Sequence, residues 1–320
     1  MRVLVVGAGG FVGTATCVAL QARGHDVRAI VRRPLPLHLA AITQVIVPNV
    51  EDVVDWTEFV RDVDAIVYLA ARVHVARETA NGAIASYRGV NVLAPVALAL
   101  AAAACSTRTF IYASSVKVHG ERSENGLPLD ATSPMRPEGP YANSKAEAEA
   151  KLSDVLCKTR TSLAVAVLPL VYGPGVRANF LRLIELARIA QLLPLPLASL
   201  RNARSLVYVG NVADLIVRIV ESGMSGRFMV DDGAPVSTPQ LIREISEQFG
   251  WKTKLFRCPD RLLHQVASLL GQADAADRLL GSLAVDSTDT RTTLGWVPRW
   301  SRREGLSETA RWYRQFVAGR

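Results

Sequence analysis

The stretch that decides the fold is RVLVVGAGGFVG, residues 2–13. Its first five residues form a short β-branched run of the kind that makes a buried strand, and an apolar segment from Thr14 to Arg23 after the glycines is predicted to be a helix. A strand, a glycine loop and a helix begin a nucleotide-binding βαβ unit. Glycines 7, 10 and 13 would permit a tight turn, approach of a pyrophosphate and close helix packing, with the helix N-terminus facing the phosphates. The cofactor-binding candidates are Gly7, Gly10, Phe11, Val12 and Gly13; the alternative is a glycine turn without a ligand.

The end of the second predicted strand, Val27 to Val31, bears on the choice of cofactor. An acidic residue here would bind the adenosine ribose hydroxyls of NAD, whereas an arginine suits the 2′-phosphate of NADP. Arg32 and Arg33 stand at this position and no acid does. They slightly favour NADP over NAD. The alternative is that Arg32 only stacks on adenine or faces solvent.

Further strands are predicted at 44–47, 65–70, 108–113 and 163–172, with Pro169 interrupting the last, and a strand at 227–230 returns to the same sheet. Polar and small residues at their ends are cofactor candidates. Asn49 and Val50 would meet the adenine, and Ala70-Ala71 would let the backbone approach the cofactor. Pro169 and Val171 would wall the nicotinamide side. Between these strands, 83–104 is predicted as one long alanine-rich helix in which Asn91 ties the helix to the sheet.

Catalytic candidates follow the fifth strand. Tyr141 and Lys145 are four residues apart on a predicted helix, 141–157, and so share one face. A nearby ammonium lowers the pKa of a phenol, which is about 10 when unperturbed. Ser114 and Ser115 lie at a strand's carboxyl end, where parallel sheets bind ligands, and could hydrogen-bond a substrate oxygen. His119 is interpreted as a wall of the pocket in preference to an acid or base.

Composition limits the remaining possibilities. The chain has 320 residues and a net charge of +8, but no nucleic-acid motif accompanies the charge, so no nucleic-acid partner is predicted. Its four cysteines have no C-x-x-C spacing, which argues against a zinc site or disulfides, and no metal is predicted. The longest apolar stretch, 92–105, contains Pro95 and is shorter than the roughly 20 residues of a membrane span. A soluble, cytoplasmic protein without membrane contact is expected.

Together these motifs resemble the extended short-chain dehydrogenases/reductases, and within them the nucleotide-sugar epimerase, dehydratase and reductase group. The resemblance rests on the 7–13 glycine loop, Ala70-Ala71, Ser114-Ser115 and Tyr141-x-x-x-Lys145. Further support comes from Val171-Tyr-Gly-Pro174, Arg204-Ser-Leu-Val-Tyr208 and Leu294-Gly-Trp296. It covers essentially the whole chain, and the most similar group is the UDP-glucose 4-epimerase-like enzymes.

The resemblance implies an α/β fold: a doubly wound parallel Rossmann sheet over 1–173, joined by 205–232, and a smaller α+β substrate domain made of 174–204 and 233–320. It makes Tyr141 the general acid/base, Lys145 the residue that lowers its pKa, and Ser115 the catalytic serine. Ser114, His119, Asn179, Arg204 and Arg278 would contact the nucleotide sugar, with the arginines binding its diphosphate. It also implies a homodimer through the helices at 83–104 and 141–157.

Three departures separate the chain from the pattern of the group. His119 replaces a tyrosine, Leu170 replaces the asparagine of several epimerases, and Val116-Lys117 stands where dehydratases carry an acidic pair. The last departure weakens a dehydratase hypothesis. Two reactions remain: 4-epimerisation of a UDP-hexose or UDP-N-acetylhexosamine, placed marginally first, and NADPH-dependent reduction of a UDP-4-keto-6-deoxy-N-acetylhexosamine. A third hypothesis, an inactive dinucleotide-binding sensor or scaffold, is disfavoured because Tyr141, Lys145 and Ser115 are all present.

Overall fold

A computed structural model describes residues 1–36, 39–73, 80–123, 126–259, 262–263, 265 and 279–317. Over these ranges the chain forms a seven-stranded parallel sheet in the order β3-β2-β1-β4-β5-β6-β9 and a separate pair, β7-β8. The strands are β1 Arg2–Val6, β2 Asp26–Val31, β3 Thr43–Ile46, β4 Ala65–Tyr68, β5 Thr109–Ser115, β6 Ser162–Leu168, β7 Leu170–Tyr172, β8 Leu206–Tyr208 and β9 Gly226–Met229.

Helices cover both faces of the main sheet. They are α1 Phe11–Ala22, α2 Thr57–Val60, α3 Ala80–Arg88, α4 Ala94–Ala104, α5 Gly139–Leu156, α6 Asn179–Leu192, α7 Val209–Ser222, α8 Thr238–Phe249, α9 Thr288–Leu294 and α10 Arg302–Phe316. One face packs on α1 and α7, and the other packs on α4 and α5. The strands are buried on both sides, which explains their continuous apolar sequences. The predicted doubly wound Rossmann fold is confirmed, and β9 pairs in parallel with β6 as expected.

The predicted sixth strand, 163–172, is wrong in one respect: it divides at Pro169. β6 stays in the main sheet, whereas β7 pairs with β8 in the separate two-stranded sheet. Proline has no N–H for the strand ladder, so it falls where one sheet ends and the next begins. A smaller shift occurs at α1, which begins at Phe11 and not at Thr14.

The predicted long helix over 83–104 is also divided. Between α3 and α4 lies a π-helical turn, Gly89–Leu93. Two sheet tyrosines satisfy its carbonyls: Tyr68 Oη donates to Val90 O at 2.6 Å, and Tyr112 Oη donates to Asn91 O at 2.9 Å. Such turns bulge outward and often mark functional sites. This one brings Asn91 against the sheet.

Within the described residues, Ile84–Ala104 has the length and composition of a membrane span, with 21 residues and a mean hydropathy of 1.4. The sequence interpretation counted only the shorter apolar stretch 92–105, which begins after Asn91 and contains Pro95. In the structure Pro95 falls in the first turn of α4, where proline is tolerated. The buried share of the apolar window is 39%, and a core helix of a soluble protein meets the same criterion.

The two faces of the main sheet each carry one hydrophobic core. A third core lies beyond the carboxyl ends of the strands and is built from α6, α8, α10 and the β7-β8 pair. Half-buried Asp232, shortly after β9, joins it to the main sheet. This carboxylate accepts hydrogen bonds from Tyr172 Oη at 2.7 Å, Tyr208 N at 2.9 Å and Asn211 Nδ2 at 2.7 Å. At the start of α8 the N-cap is Ser237, whose side chain accepts a hydrogen bond from Gln240 N.

Candidate active site

The glycine loop joins β1 to α1 at the carboxyl edge of the sheet. Gly7 has a φ of +85°, and a Cβ there would lie 2.6 Å from Ala70 N. A Cβ on Gly13 would lie 2.2 Å from Gly7 O. Thr14 N is the first to bond within the helix, to Gly10 O at 2.9 Å, which leaves the N–H groups of the first turn for a ligand. This cradle fits the pyrophosphate of a dinucleotide.

The residues predicted to meet adenosine lie along the neighbouring strand ends. Arg32 and Arg33 are exposed directly after β2. Asn49 is exposed after β3, where its Nδ2 donates to Asp52 Oδ2 at 2.9 Å, and Val50 is buried in the next turn. Ala70 and Ala71 follow β4, and Ala70 packs on Gly7. The structure therefore brings the predicted cofactor residues of the first four strands to one edge.

Tyr141 lies in the first turns of α5, half-buried, with its ring 6.3 Å from that of Tyr87 in an edge-on contact. Burial raises the pKa of the Tyr141 phenol to about 12. A hydrogen bond from Ser115 acts in the opposite direction, because it favours the phenolate. The structure thus brings the predicted serine and tyrosine into contact.

Lys145 lies one turn after Tyr141 and is only 2% exposed. Its Nζ donates to Ala113 O at 2.9 Å and sits 4.5 Å from the centroid of the Tyr112 ring. Burial lowers the pKa of this lysine to about 7, and the nearby charge of Glu149 limits the decrease. An ammonium held in this way is the predicted partner of the Tyr141 phenolate.

The two adjacent serines have different partners. Ser115 is half-buried, and its Oγ accepts from Lys117 N at 3.3 Å, which caps the short 3₁₀ turn Val116–His119. Ser114 is 3% exposed, and its hydroxyl donates to the buried carboxylate of Glu149. Ser115 is therefore the serine that lies beside Tyr141. Ser114, proposed from the sequence as a substrate contact, is engaged inside the core.

His119 is buried between two groups of fixed hydrogen-bonding character. Arg227 Nη2, which can only donate, lies 3.1 Å from His119 Nε2, and Pro134 O, which can only accept, lies 3.3 Å from Nδ1. This arrangement assigns the proton to Nδ1. Burial, and then the charge of Arg227, lower the pKa of His119. The neutral, fully partnered ring is suited to the wall of a pocket, as the sequence interpretation holds.

The side-chain amide of Asn91, on the π-helical turn, hydrogen-bonds to two neighbouring segments of the chain. Its Oδ1 accepts from Arg72 N at 2.9 Å, and its Nδ2 lies 3.1 Å from Arg72 O and 2.9 Å from Ser144 Oγ. The amide thus ties the turn to the end of β4, as expected, and also to α5, which the sequence did not indicate.

The residues predicted to contact the nucleotide sugar are more dispersed. Asn179 is exposed at the start of α6, and Pro169 and Val171 flank the junction of β6 and β7. Arg204 is half-buried and its Nη1 donates to Gly281 O at 2.9 Å. Burial lowers the pKa of Arg204, with the charge of Glu121 opposing this. Arg278 lies outside the described residues.

Sequence reasoning missed Glu149 and Arg227. The available signal was spacing, because Tyr141, Lys145 and Glu149 recur every four residues on one face of α5. Arg227 on β9 carried no signal, since its contact with Glu149 Oε2, at 3.2 Å, spans distant parts of the chain. No group of three or more potential metal ligands occurs in the part of the chain that the structure describes.

A Rossmann sheet with a glycine cradle and a Ser–Tyr–Lys site defines a short-chain dehydrogenase/reductase of the extended type. The family model of the NAD dependent epimerase/dehydratase family matches residues 3–230, and the chain belongs to this family. A UDP-glucose 4-epimerase of Vibrio cholerae is 34% identical, over 98% of this chain and 95% of its own length. The relatives of this chain are named as epimerases, dehydratases and reductases, and the chain is an enzyme of the extended short-chain dehydrogenase/reductase type.

Solved structures share the fold. The UDP-glucose 4-epimerase of Thermus thermophilus in complex with NAD has a TM-score of 0.77 at 21% identity, covering 99% of this chain and 100% of its own. MoeE5 in complex with UDP-glucuronic acid and NAD has a TM-score of 0.79 at 22% identity, with the same coverage.

Proposed function

We propose that the chain interconverts the C4 configuration of a UDP-hexose or UDP-N-acetylhexosamine. The observation that carries the proposal is the placement of Ser115, which lowers the pKa of Tyr141, and of buried Lys145 at the strand edge that also holds the glycine cradle. Oxidation of a secondary alcohol requires a group that accepts the hydroxyl proton, a side chain that hydrogen-bonds the reacting oxygen, and a hydride acceptor. The 34% identity to a UDP-glucose 4-epimerase supports the epimerase over the other reactions of the family.

In this mechanism Tyr141 removes the proton of the C4 hydroxyl as the C4–H bond breaks. Ser115 hydrogen-bonds the reacting oxygen and holds it near the phenol. Lys145 favours the phenolate by its positive charge. A dinucleotide held by the glycine cradle of residues 7–13 would supply the hydride acceptor, and later the hydride donor, for C4. After the 4-keto sugar has turned in the pocket, Tyr141 gives its proton back to the C4 oxygen, and the opposite configuration results.

The nucleotide is assigned to the third core. Asn179, Arg204 and Arg278 are proposed to bind the diphosphate, for which a guanidinium is a natural partner. On this assignment residues 1–173 and 205–232 hold the cofactor, and residues 174–204 and 233–320 hold the nucleotide sugar. A homodimer through the α3–α4 region and α5 is proposed as the assembled state.

A second candidate reaction uses the same residues in one direction. In a reductase Tyr141 would only donate its proton, to the C4 oxygen of a 4-keto-6-deoxy sugar, as NADPH reduces the ketone. The observation that favours it is the exposure of Arg32 and Arg33 at the adenosine edge, where an arginine suits a 2′-phosphate. An inactive sensor or scaffold is the remaining alternative.

Two measurements separate these possibilities. The cofactor released by denaturing freshly purified protein is identified first, and retained NAD supports the epimerase because its cofactor is recycled internally. The protein is then incubated with UDP-glucose and UDP-N-acetylglucosamine, and formation of the C4 epimer is followed by NMR. An empty site that binds NADPH better than NADH, without epimerisation, favours the reductase. No turnover with hexoses or keto sugars would revive the scaffold.

A further inference from the structure

A buried group of charged residues lies behind the catalytic lysine. Glu149 is one turn beyond Lys145 on α5 and has only 4% of its side chain exposed. Its carboxylate meets Arg227 Nη2 at 3.2 Å on one oxygen and the Ser114 hydroxyl on the other. A carboxylate at this depth is costly unless it is paired and hydrogen-bonded. Both of its oxygens have such partners.

Arg227 reaches this site from β9, the last strand of the sheet. The same Nη2 that meets Glu149 also lies 3.1 Å from His119 Nε2, so one guanidinium joins α5 to the pocket wall. Its Nε is buried without a hydrogen-bond partner among the described residues. A buried donor without a partner costs free energy, so the position of this guanidinium calls for an explanation. Its contacts with Glu149 and His119 supply that explanation.

We propose that Glu149 and Arg227 are positioning residues for catalysis: Glu149 holds the Lys145 ammonium in its charged form from behind, and Arg227 holds Glu149. The inference rests on the proposed role of Lys145 in activating Tyr141. Neither residue contacts the reacting atoms. The pair acts through Lys145, and through Ser114, which fixes the strand end that presents Ser115.

The charges around Lys145 support this assignment. Burial disfavours the ammonium and lowers the lysine pKa, and Glu149 is the group whose charge opposes the change. Burial raises the pKa of Glu149, and Arg227, the Ser114 hydroxyl and Lys145 oppose that rise. The contacts with Arg227 and Ser114 are those that stabilise the charged form of a buried carboxylate. The ionisable and charged groups that face this site are Tyr68 on β4, Tyr112 on β5, His119 after β5, Tyr141 and Glu149 on α5, and Arg227 on β9.

Removal of the Glu149 charge would therefore lower the pKa of Lys145, so the neutral amine would become dominant at a lower pH. In Glu149→Gln the alkaline limb of the turnover profile is expected to move down by about one pH unit, the lower end of the effect of a close opposite charge. Glu147→Gln is the matched control, because Glu147 is on the same helix but pairs with Arg88 at the surface. Its profile should be unchanged.

A second readout does not require turnover. The chain has six lysines, so NMR of protein labelled at lysine Cε gives few signals, and Lys145→Met assigns that of Lys145. A downward shift of its titration in Glu149→Gln, absent in Glu147→Gln, supports the proposal. An unchanged titration, or equal shifts in both variants, would overturn it. Wild-type protein without turnover would instead refute the proposed function and leave the titration test valid.

Arg227 is tested by a conservative and a disruptive variant. Arg227→Leu should lower the pKa of Lys145, as Glu149→Gln does. Arg227→Lys keeps the positive charge and should leave most of the wild-type pKa in place. Adding Glu149→Gln to Arg227→Leu should shift the titration little further, because the two residues act as one unit. Additive shifts in the double variant would contradict the pairing.

Discussion

Asn91 Nδ2 lies 2.9 Å from Ser144 Oγ, and this contact joins the π-helical turn to the helix that carries Tyr141 and Lys145. The same amide also bonds both backbone groups of Arg72 at the end of β4. One fully buried side chain therefore fixes α5 relative to the end of β4.

Asn91→Ala should be strongly destabilising, because it removes the hydrogen bonds of a fully buried amide to Arg72 N, Arg72 O and Ser144 Oγ. We expect the free energy of unfolding to fall by about 2–3 kcal/mol, measured by urea denaturation. Asn49→Ala is the control: Asn49 is exposed and its side chain bonds only Asp52 among the described residues, so its effect should be small. Equal losses in the two variants would contradict the tie assigned to Asn91.

Tyr141→Phe should abolish proton transfer and leave the fold intact. Turnover should fall by about 10²- to 10⁴-fold, the usual contribution of a general acid/base, while dinucleotide affinity measured by calorimetry changes little. Tyr87→Phe is the matched control, since Tyr87 packs on Tyr141 but sends its hydroxyl to Val73 O at 3.1 Å. Turnover that is unchanged in Tyr141→Phe would remove Tyr141 from the mechanism.

The glycine loop offers a steric test within a few residues. A Cβ on Gly13 would lie 2.2 Å from Gly7 O, whereas a Cβ on Gly9 would meet only side-chain atoms of Leu35 and Val31, at 3.8 and 3.9 Å. Gly13→Ala should therefore lose dinucleotide binding and unfold more easily, by at least about 2 kcal/mol, and Gly9→Ala should be tolerated. Thermal unfolding with and without NAD measures both effects. A tolerated Gly13→Ala would show that the loop can open.

The low pKa of Lys145 predicts how stability depends on pH. The folded value is about 7 against an ordinary 10.5, so between these values the unfolded chain binds more protons than the folded chain. The free energy of unfolding should therefore rise with pH through this group. From pH 7 to 9 the wild type should gain about 1–2 kcal/mol relative to Lys145→Met, measured by denaturant unfolding. A pH-independent difference would mean that Lys145 is solvated in the folded state.

The local signals of the sequence were sufficient to predict most of the sheet, and they indicated Ser115, Tyr141 and Lys145, which the structure places at the end of β5 and the start of α5. A β-branched run followed by glycines and a helix is compatible with few folds other than a nucleotide-binding βαβ unit. Tyr141 and Lys145 are recognisable from their spacing, and Ser115 is recognisable from its position at the end of a strand. The division of the sixth strand was not recognised as a change of sheet, because Leu168 and Leu170 continue the apolar pattern across Pro169. Only the position of β8 determines where Leu170 pairs.

The features missed depend on contacts between distant segments. The π-helical turn is stabilised by Tyr68 and Tyr112, which lie on strands before and after it. Glu149 lies in the run Ala146-Glu-Ala-Glu-Ala150, which has the appearance of a solvated helix face, and its burial follows from the packing of α5 on β5 and β6. No local pattern distinguishes it from Glu147, which is half-buried and pairs with Arg88.

The pairing of β7 with β8 has a consequence for recombining this enzyme with its relatives. The third core draws on 170–208 and again on segments after β9, and Tyr172 bonds both Asp232 and, at 3.2 Å, Arg302 O. A chimaera with one junction at the end of β9 would combine β7, β8 and α6 from one parent with α8 and α10 from the other. Its core would be mismatched at Tyr172 and Tyr208. On the proposed assignment of the nucleotide sugar to this core, transfer of substrate preference therefore requires a graft of two segments, 170–208 and the chain after β9, with α7 and β9 left with the main sheet.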